Sequence, residues 1–570
     1  MPTGFLRRSL SVLTATALAV ALGASPAVAW PSPRPSQPVD VRLIGINDFH
    51  GNLQPPAGSS GRVVNADGTT TDAGGAAYLA THVKTLESEK KNSILLSAGD
   101  NIGAASPLPS ALFHDEPPIE FLNDIGLDAS AVGNHEFDEG YAELKRIQLG
   151  GCNPTDGCQF RPTYTGAKFP FLGASVFFSN GFPAVLPFTV KFEGGIPIGI
   201  IGITLHDLPS VVTPAAVQGL RFGDEVQAID RTANLLDRLG IKTLIVTMHQ
   251  GDGTLGGGPH ACNVAPGIAQ TIATTATPKV DAFFTGHSHQ QYNCSVNDPA
   301  GNPRPVIQGL SFGRLLSVID IKIDKKTRDV IRSATVADNV IVTRDVTQDP
   351  VVKKLVDDAV TKSAPIADTP VGSITADLVR AAPPSGEQPL GDVIADAQLA
   401  ATISNDAQIA ITNPGGIRAD LVVAPSGAEG SGVVTYGEAF AVRPFSNIMQ
   451  TITLTGAQLD AVLEQQWQPT TPETVRILQI SASLHYSQNL SQPTGSRVSD
   501  ITVNGVPVDP TAPYKVSVNN FLAAGGDGFT VFAQGTNLAG GPIDLDAFTA
   551  YLTANQNLAP PPADRVTVIG

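Results

Sequence analysis

The chain has 570 residues, of which 42% are hydrophobic, and its formal net charge is −16. A chain of this length exceeds the usual size of one hydrophobic core, so we expect at least two domains. The acidic excess argues against binding to nucleic-acid polymers, which requires a basic face. It does not argue against a small phosphorylated substrate, because a bound metal ion supplies local positive charge.

Residues 1–29 have the organisation of a secretory signal peptide. A charged start at Arg7 and Arg8 is followed by an apolar stretch over residues 10–22, and residues 27–29 (Ala-Val-Ala) form a cleavage site. The apolar stretch is shorter than a bilayer span, which argues against a membrane anchor helix. The rest of the chain shows no segment long and apolar enough to span a membrane. We therefore predict a secreted protein without a stable membrane anchor.

Five short apolar runs, rich in β-branched residues, predict buried strands, and each leads into residues that bind metal ions. In chain order the runs begin at Val41, Ser93, Ala129, Thr243 and Val280, and they lead to Asp48 and His50, Asp100, Asn134 and His135, His249, and His287 and His289. In sheets flanked by helices, ligands collect beyond the carboxyl ends of the strands. We therefore expect two Asp, one Asn and four of these five His as ligands along one sheet edge. That set suffices for two metal ions and indicates metal-assisted hydrolysis.

The four cysteines are Cys152, Cys158, Cys262 and Cys294. An even number in an exported chain favours disulfides. Cys152 and Cys158 flank a Pro/Asp/Gly turn and are placed to close a small loop, which leaves the other two as a second pair. A cysteine zinc site is the competing interpretation, but the spacing does not suit one. Free thiols are a further alternative.

A short helix is predicted from Val351 to Thr361, with Asp349 as its N-cap. This helix lies within a predicted linker over residues 343–366. The linker separates a first strand-and-helix domain over residues 40–342 from a second domain over residues 367–570.

The order D-x-H, G-D-N, G-N-H-E, H and G-H-x-H in residues 40–342 resembles that of the calcineurin-like metallophosphoesterases. The resemblance implies an α/β fold, a four-layer α/β/β/α sandwich, with two divalent metal ions such as Zn or Mn. It assigns Asp48, His50 and His289 to one ion, Asn134, His249 and His287 to the other, and Asp100 to a bridge between them. Two such ions can hold both the attacking and the leaving oxygen of an in-line phosphoryl displacement.

His135 follows the implied ligand Asn134 but is not itself expected on a metal ion. It is placed to stabilise charge on the phosphoryl group or to protonate the leaving oxygen. In the family that it resembles, an Asp at the position of Asp138 orients this ring. The alternative is that Asp138 only caps a helix.

Three segments of the second region, at residues 413–418, 444–447 and 519–529, resemble the α+β substrate-binding C-terminal domain of 5′-nucleotidases. The chain from residue 40 onwards resembles secreted bacterial 5′-nucleotidases, a family that includes bifunctional UDP-sugar hydrolases. The resemblance implies that substrate is bound by Phe445 and Phe521 (base stacking), Asp527 (ribose), Asn447 (base edge), Arg418 and Arg380 (phosphate), with Asn413 and Gly416 in the same motifs. Stacking on aromatic rings tolerates different bases, and the guanidinium fork suits phosphate oxygens.

The chain departs from the family pattern at three places. Pro414 follows Asn413 where Gly is frequent, Asp392 stands where Asn is usual, and Arg443 stands where an apolar residue is common. These changes affect the expected base preference and the expected binding of phosphate.

We expect a secreted di-metal phosphohydrolase that converts nucleoside 5′-monophosphates to nucleoside and phosphate. The alternatives within enzymes are a UDP-sugar hydrolase and a 2′,3′-cyclic nucleotide phosphodiesterase. The alternative from another class is a non-catalytic exported nucleotide-binding protein. The complete set of seven ligands argues against that class, because a binding protein has no need of them.

Overall fold

The computed structural model describes residues 37–56, 58–103, 108–212, 216–264, 267–445, 447–467 and 475–569. The predicted signal peptide lies outside these residues, as does Ser446. Within them, no helix combines the length and the apolar character that crossing a membrane requires.

The first part of the chain alternates short strands with helices. Its strands are β1 (Val39–Ile46), β2 (Arg62–Val64), β3 (Thr70–Asp72), β4 (Ser93–Ser97), β5 (Ala129–Ala131), β6 (Phe171–Leu172), β7 (Val176–Phe178), β8 (Phe188–Glu193), β9 (Ile196–Thr204), β10 (Leu220–Phe222), β11 (Thr243–His249), β12 (Ala282–Thr285), β13 (Gln291–Asn297), β14 (Pro303–Gly309), β15 (Leu315–Ile323) and β16 (Val336–Ile341). Its helices are α1 (Ala76–Ser88), α2 (Leu108–Ala111), α3 (Glu116–Asp124), α4 (Tyr141–Leu149), α5 (Glu225–Arg238), α6 (Ile268–Thr275) and α7 (Pro350–Ala367).

Two six-stranded sheets form the centre of this part, with strand orders β16-β15-β1-β4-β5-β6 and β13-β14-β12-β11-β9-β8. The five strands predicted to precede metal ligands are β1, β4, β5, β11 and β12. The first three are neighbours in parallel register in one sheet, and the last two are parallel neighbours in the other. The ligand strands therefore do not end at a single sheet edge, as the sequence predicted, but at the edges of two sheets that meet. The two sheets lie together because each one buries its apolar inner face against the other.

The two sheets pack face to face around a core that includes Leu43 and Leu96 of one sheet and Ile200 and Phe284 of the other. The outer face of the first sheet is covered by α1, α3 and α7, and that of the second by α5 and α6. Strands buried on both faces appear in sequence as continuous apolar runs, which is why they were recognisable. The four-layer α/β/β/α sandwich is confirmed.

Residues from 370 onwards form a second group of sheets and helices. The strands are β17 (Pro370–Ser373), β18 (Ile409–Thr412), β19 (Val433–Thr435), β20 (Ile448–Thr455), β21 (Gln479–Ile480), β22 (Leu484–Gln488), β23 (Val498–Val503), β24 (Val506–Pro507), β25 (Pro513–Asn519), β26 (Thr536–Ile543) and β27 (Val566–Val568). The helices are α8 (Pro389–Thr402), α9 (Tyr436–Val442), α10 (Gly456–Glu464), α11 (Asn520–Ala523) and α12 (Asp544–Ala554). The larger sheets have the orders β21-β18-β25-β20-β26 and β24-β23-β22-β27.

The predicted helix after residue 349 is α7. The Asp349 side chain accepts hydrogen bonds from the backbone N–H groups of Val351 and Val352, each at 3.1 Å, so the predicted N-cap is confirmed. Leu355 and Ala359 of α7 pack into the core beneath the first sheet. The helix in the predicted linker is thus part of the first packing unit, and the domain boundary within residues 343–366 stays a prediction.

Both cysteine pairs form disulfides, Cys152–Cys158 and Cys262–Cys294, and no cysteine of the described chain is free. The first closes a small surface loop. The second ties the loop that follows β11 to Cys294 in β13, which is 1% exposed. The disulfide prediction is therefore confirmed.

Candidate metal centre and substrate cavity

The predicted metal ligands form two groups where the two sheet edges meet. In one group, ligand atoms of Asp48, His50 and His289 all lie within 4.8 Å of one another, and in the other the same holds for Asp100, His249 and His287. Asp48 and His50 follow β1, Asp100 follows β4, and His249 ends β11. The parallel strands thus deliver their polar termini to one place.

Asn134 and Asp100 complete this arrangement. Asn134 Oδ1 lies 3.1 Å from His249 Nε2 and 3.0 Å from His287 Nδ1. Asp100 Oδ2 lies 3.0 Å from His249 Nε2 and 3.8 Å from His50 Nε2, so this carboxylate stands between the two groups. The structure therefore brings all seven predicted ligands together.

The histidine tautomers fit metal binding. His249 Nδ1 lies 2.8 Å from the Ala98 carbonyl oxygen, and His50 Nδ1 lies 3.4 Å from that of Gly103. A carbonyl oxygen only accepts, so Nδ1 is the donor in each ring, which leaves Nε2 as the nitrogen available to bind a metal ion. His50 Nε2 also faces His289 Nε2 at 3.0 Å. Nitrogen lone pairs and carboxylate oxygens directed at common points suit divalent ions such as Zn²⁺ or Mn²⁺.

The charge balance of the two carboxylates leads to the same assignment. Asp48 and Asp100 are 0% and 1% exposed. In the part of the chain that the structure describes, their ion pairs are formed with histidines and not with Lys or Arg. Burial of two carboxylates without a permanent cation is costly. Two divalent ions would offset that cost.

Five of the predicted ligands have left-handed backbone conformations. The φ angles are 49° for Asp48, 46° for His50, 52° for Asp100, 69° for His287 and 55° for His289. Such a conformation costs a non-glycine residue about 1–3 kcal/mol, and residues that adopt it cluster at functional sites. Five such residues at one place support its assignment as a functional site.

Glu136 holds the loops that carry two of the ligands, a role that the sequence analysis missed. Its buried carboxylate accepts hydrogen bonds from the backbone N–H groups of Asp100 (2.9 Å), Asn101 (2.8 Å) and Gly133 (2.6 Å). Burial, together with the nearby Asp100 charge, raises the pKa of Glu136 to about 7. The only signal in the sequence is its place in the G-N-H-E motif.

Gly133 is required by the same packing. A Cβ atom at this position would lie 2.0 Å from Asp100 Oδ1. Any larger residue would therefore displace the carboxylate that stands between the two groups of ligands.

His135 and Asp138 form a pair beside the ligand groups. His135 Nδ1 lies 3.0 Å and 2.9 Å from the two Asp138 carboxylate oxygens, as an orienting role requires. Burial by itself lowers the pKa of His135, but the Asp138 and Asp100 carboxylates outweigh it and the net shift is upward. Asp138 also follows a single 3₁₀ turn over His135–Phe137, so it occupies a C-cap position as well.

A cavity of about 420 Å³ connects the metal centre to the second part of the chain. Its wall includes the predicted residues Asp100, Asn134, His135, Asp138, His287, His289, Asn413, Gly416, Arg418, Phe445, Asn447, Phe521 and Asp527. Residues from both parts of the molecule are therefore needed to form it.

Arg418 lies at the metal end of this cavity. Its guanidinium carbon is 5.7 Å from the centre of the Phe445 ring, and that ring is 6.3 Å from the ring of His135. Burial, together with the neighbouring Arg380, lowers the pKa of Arg418. A phosphate bound here would have a cationic side chain and an aromatic face next to the metal ligands.

Phe521 and Asp527 lie in the same wall. The Phe521 ring packs so closely on Gly526 that a Cβ atom there would lie 2.5 Å from it. Asp527 Oδ2 accepts a hydrogen bond of 2.7 Å from Asn413 Nδ2. The Gly-Gly-Asp segment thus provides space for an aromatic ring and a fixed carboxylate.

Arg380 is the predicted substrate residue that is not among those lining this cavity. Its backbone N–H and its Nε both donate to Asp420 Oδ1, at 2.8 Å and 3.1 Å. The cavity contains other residues that the sequence analysis did not select, including Arg476, whose Nη1 donates to the Asp527 carbonyl oxygen at 3.0 Å. Arg476 lies outside the recognised motifs, so no sequence signal identified it.

Comparison with known proteins agrees with this architecture. The family profile described as calcineurin-like phosphoesterase matches residues 41–291, and the profile described as 5′-nucleotidase, C-terminal domain, matches residues 365–534.

Relatives extend over most of the chain. It is 30% identical over 527 residues to Endonuclease YhcR of Bacillus subtilis (strain 168), which covers 91% of this chain but only 40% of that protein. It is 25% identical over 542 residues to a snake venom 5′-nucleotidase of Naja atra, covering 90% of this chain and 96% of that protein. The crystal structure of a 5′-nucleotidase precursor from Thermus thermophilus has a TM-score of 0.74 at 25% identity, covering 93% of this chain and 99% of that one.

Together the fold, the ligand groups and the matched profiles define a metal-dependent phosphomonoester hydrolase of the calcineurin-like type. The chain belongs to the 5′-nucleotidase family, in which a calcineurin-like phosphoesterase domain precedes a 5′-nucleotidase C-terminal domain. Calcineurin-like phosphoesterases use two divalent metal ions, and the two ligand groups match that number. The predicted family, fold class and cofactors are confirmed.

Proposed function

We propose that the protein is a secreted 5′-nucleotidase that hydrolyses nucleoside 5′-monophosphates to nucleoside and phosphate. One observation carries the proposal: a single cavity is lined both by metal-ligand candidates and by Phe445, Phe521 and Asp527. Metal ligands alone are compatible with many phosphate esters. Two aromatic rings and a carboxylate in the same cavity favour a substrate that has a flat base and hydroxyl groups.

In this proposal Asp48, His50 and His289 would hold one divalent ion, and Asn134, His249 and His287 would hold the other, with the Asp100 carboxylate between the two groups of ligands. When bound, the ions lower the pKa of coordinated water and offset negative charge on the phosphoryl oxygens.

The other side chains at this end act on the phosphate. Arg418 presents a planar fork to the phosphoryl oxygens. Asp138 holds His135 by Nδ1, which leaves Nε2 as the nitrogen that can bond to a phosphoryl oxygen or pass a proton to the leaving oxygen. His135 thereby assists departure of the nucleoside.

In the same cavity, Phe445 and Phe521 bind the base by stacking, which contributes about 1–3 kcal/mol per base and tolerates different bases. Asp527 accepts hydrogen bonds from ribose hydroxyl groups while its Oδ2 is kept in place by Asn413. Asn447 contacts a base edge.

Secretion is part of the same proposal. Two disulfides support it, because such bonds persist in oxidising compartments outside the cytosol. The signal-like composition of residues 1–29 supports it independently.

Phosphate release from AMP by the purified mature protein tests the function. We expect release that is lost on chelation and restored by Zn²⁺ or Mn²⁺, with a larger kcat/KM for AMP than for UDP-glucose or 4-nitrophenyl phosphate. No release with any metal would contradict the assignment. Equal kcat/KM for AMP and the aryl phosphate would indicate a broad phosphoesterase instead.

A further inference from the structure

Arg476 lies in the wall of the substrate cavity, on a firmly anchored segment that precedes β21. Its backbone N–H donates to the Gln466 carbonyl oxygen at 3.0 Å, and the Leu478 N–H donates to Gln466 Oε1 at 2.7 Å. Gln466 is 1% exposed and donates in turn to the Leu463 carbonyl oxygen at the end of α10. The base of the arginine side chain is therefore fixed by the fold.

The guanidinium reaches a strained turn. Arg476 Nη1 donates to the Asp527 carbonyl oxygen at 3.0 Å. Asp527 has a φ of 57°, between Gly525 at 87° and Gly528 at 84°. The two glycines adopt this conformation readily, whereas a non-glycine residue needs support from its surroundings to keep it.

Asp527 is held at two points. Its carboxylate accepts from Asn413 Nδ2 at 2.7 Å, and Asn413 Oδ1 accepts from Asn519 Nδ2 at 3.3 Å. Its carbonyl oxygen is held by Arg476. Because the carboxylate and the carbonyl belong to the same residue, loss of the second contact would let the turn relax and move the carboxylate in the cavity.

The end of this loop is held separately. The Val531 N–H donates to Gln465 Oε1 at 3.2 Å, and Gln465 Nε2 donates to Thr530 Oγ1 at 2.8 Å. Removal of the Arg476 guanidinium would therefore disturb the Asp527 turn locally and leave the rest of the loop attached.

We propose that Arg476 is a positioning residue that sets ribose specificity. Its guanidinium holds the Asp527 turn so that the carboxylate faces the ribose hydroxyl groups of the substrate. The inference rests on the proposed nucleotidase function and adds to it a chemical class: Arg476 favours nucleotides with a free ribose diol over those that lack it.

The test compares AMP with 2′,3′-dideoxy-AMP in the full mature protein loaded with metal. Arg476→Met keeps most of the apolar stem and removes the donors. We expect the ratio of kcat/KM for AMP to that for dideoxy-AMP to fall about tenfold, as loss of one hydrogen bond to a charged group predicts. The loss should appear in KM for AMP, with hydrolysis of 4-nitrophenyl phosphate unchanged. An equal loss for AMP and dideoxy-AMP would overturn the inference.

Three further variants sharpen the result. Arg497→Met removes another arginine of the same region, which stacks on Trp467 at 5.6 Å and does not line the cavity, and it should leave the ratio unchanged. In an Asp527→Asn background, Arg476→Met should cause no further loss, and an additive loss would contradict the positioning role. Arg476→Lys keeps a charged donor and should give an intermediate ratio. If Arg476→Met fails to fold, this lysine variant decides, and an unchanged ratio overturns the inference.

Failure of this inference is distinguishable from failure of the proposed function. A wild-type protein that hydrolyses 4-nitrophenyl phosphate but does not prefer AMP to dideoxy-AMP contradicts nucleotide recognition itself. A wild-type preference for AMP that Arg476→Met leaves intact overturns only the role of Arg476.

Discussion

Single residues at the metal centre are held by contacts that leave little freedom. The ring of His249 is fixed by the Ala98 carbonyl oxygen, and that of His135 by the Asp138 carboxylate. Glu136 binds three backbone N–H groups of the ligand loops. Such outer contacts set the tautomer and the direction of each functional nitrogen before substrate arrives.

Replacement of His135 by alanine should reduce kcat for AMP by about 10²–10⁴-fold, the range for loss of a general acid. KM should change little, and so should the metal content, because His135 belongs to neither ligand group. Steady-state kinetics and elemental analysis check both expectations. His260→Ala is a matched control, because that histidine pairs with Asp338 at the surface. Equal losses of binding and turnover would contradict the catalytic role.

Two departures from the family pattern have different consequences in the structure. Arg443 is 0% exposed, but its Nη2 pairs with Asp544 at 2.7 Å and its Nη1 donates to the Gly416 carbonyl oxygen at 2.8 Å. Asp392 is also 0% exposed, and neither of its carboxylate oxygens receives a hydrogen bond from any described residue. The arginine therefore has an ion pair and a hydrogen bond, whereas the aspartate has only the longer ion pair with Arg565 Nε at 3.8 Å.

Asp392→Asn should stabilise the protein at alkaline pH. Burial raises the pKa of Asp392 to about 8, despite Arg565 Nε at 3.8 Å from Oδ2, and the nearby Glu387 adds to the rise. The folded state then binds a proton that the unfolded state releases above about pH 4, so the cost grows as the pH rises toward 8. We expect the variant to gain about 1–3 kcal/mol at pH 8, the cost of an unsatisfied buried group, and much less at pH 5.

Chemical denaturation at the two pH values measures this gain. Asp396→Asn is the contrasting variant, because Asp396 forms the ion pair with Arg565 at 2.8 Å, and its replacement should destabilise. A gain for Asp392→Asn that does not depend on pH would contradict the argument from ionisation.

At the scale of elements, the loop between β11 and α6 depends on covalent closure. This loop follows the ligand His249, and Cys262 within it is joined to Cys294 in β13. The Asp252 side chain in the same loop caps α6 by accepting from the N–H groups of Ala269 (2.8 Å) and Gln270 (2.9 Å). The disulfide thus holds an irregular segment against the second sheet, close to the ligands that follow β12.

Removal of this disulfide in a Cys262→Ala, Cys294→Ala variant should lower the free energy of unfolding by about 3–4 kcal/mol, because it closes a loop of moderate length. The Cys152–Cys158 disulfide closes a much shorter loop. Its removal in the corresponding double alanine variant should lower the free energy of unfolding by only about 2 kcal/mol. Denaturant unfolding followed by circular dichroism compares the two. A larger loss at the shorter loop would contradict the loop-closure argument.

At the scale of the whole molecule, chemistry and recognition come from different parts of the chain. The metal ligands lie at the edges of the two six-stranded sheets, and the aromatic residues Phe445 and Phe521 come from the region after α7. Only their juxtaposition forms the cavity. Substitutions of the metal ligands should therefore affect turnover of every substrate. Substitutions of the residues after α7 should affect the selectivity for nucleotides over other phosphate esters.

Phe521→Ala should weaken binding of AMP by about 1–3 kcal/mol, the contribution of one stacking contact, and leave kcat for glycerol 2-phosphate unchanged, because that substrate has no base. The KM for AMP and the kcat for glycerol 2-phosphate measure these two effects. Phe192→Ala, at a residue that is exposed on β8, should change neither. A parallel loss for both substrates would show that Phe521 supports the metal centre and not the base.

The sequence by itself determined the five strands that precede the ligands, the order of the ligands and the class of chemistry. Short apolar runs buried on both faces are visible as continuous stretches, and residues directly after parallel strands of one sheet lie at the same edge of that sheet. Asp349 as N-cap and the two cysteine pairs were also predictable, because capping and loop closure are local in sequence or limited by a small number of cysteines.

Only the tertiary structure decided how the ligand strands are divided between two sheets, which backbones are left-handed, and which buried charges are paired. These properties depend on contacts between residues far apart in the chain, such as Arg443 with Asp544 or Arg476 with Asp527. A local pattern does not encode such a partner, because the free energy of a buried charge is set by the three-dimensional surroundings that the whole fold supplies.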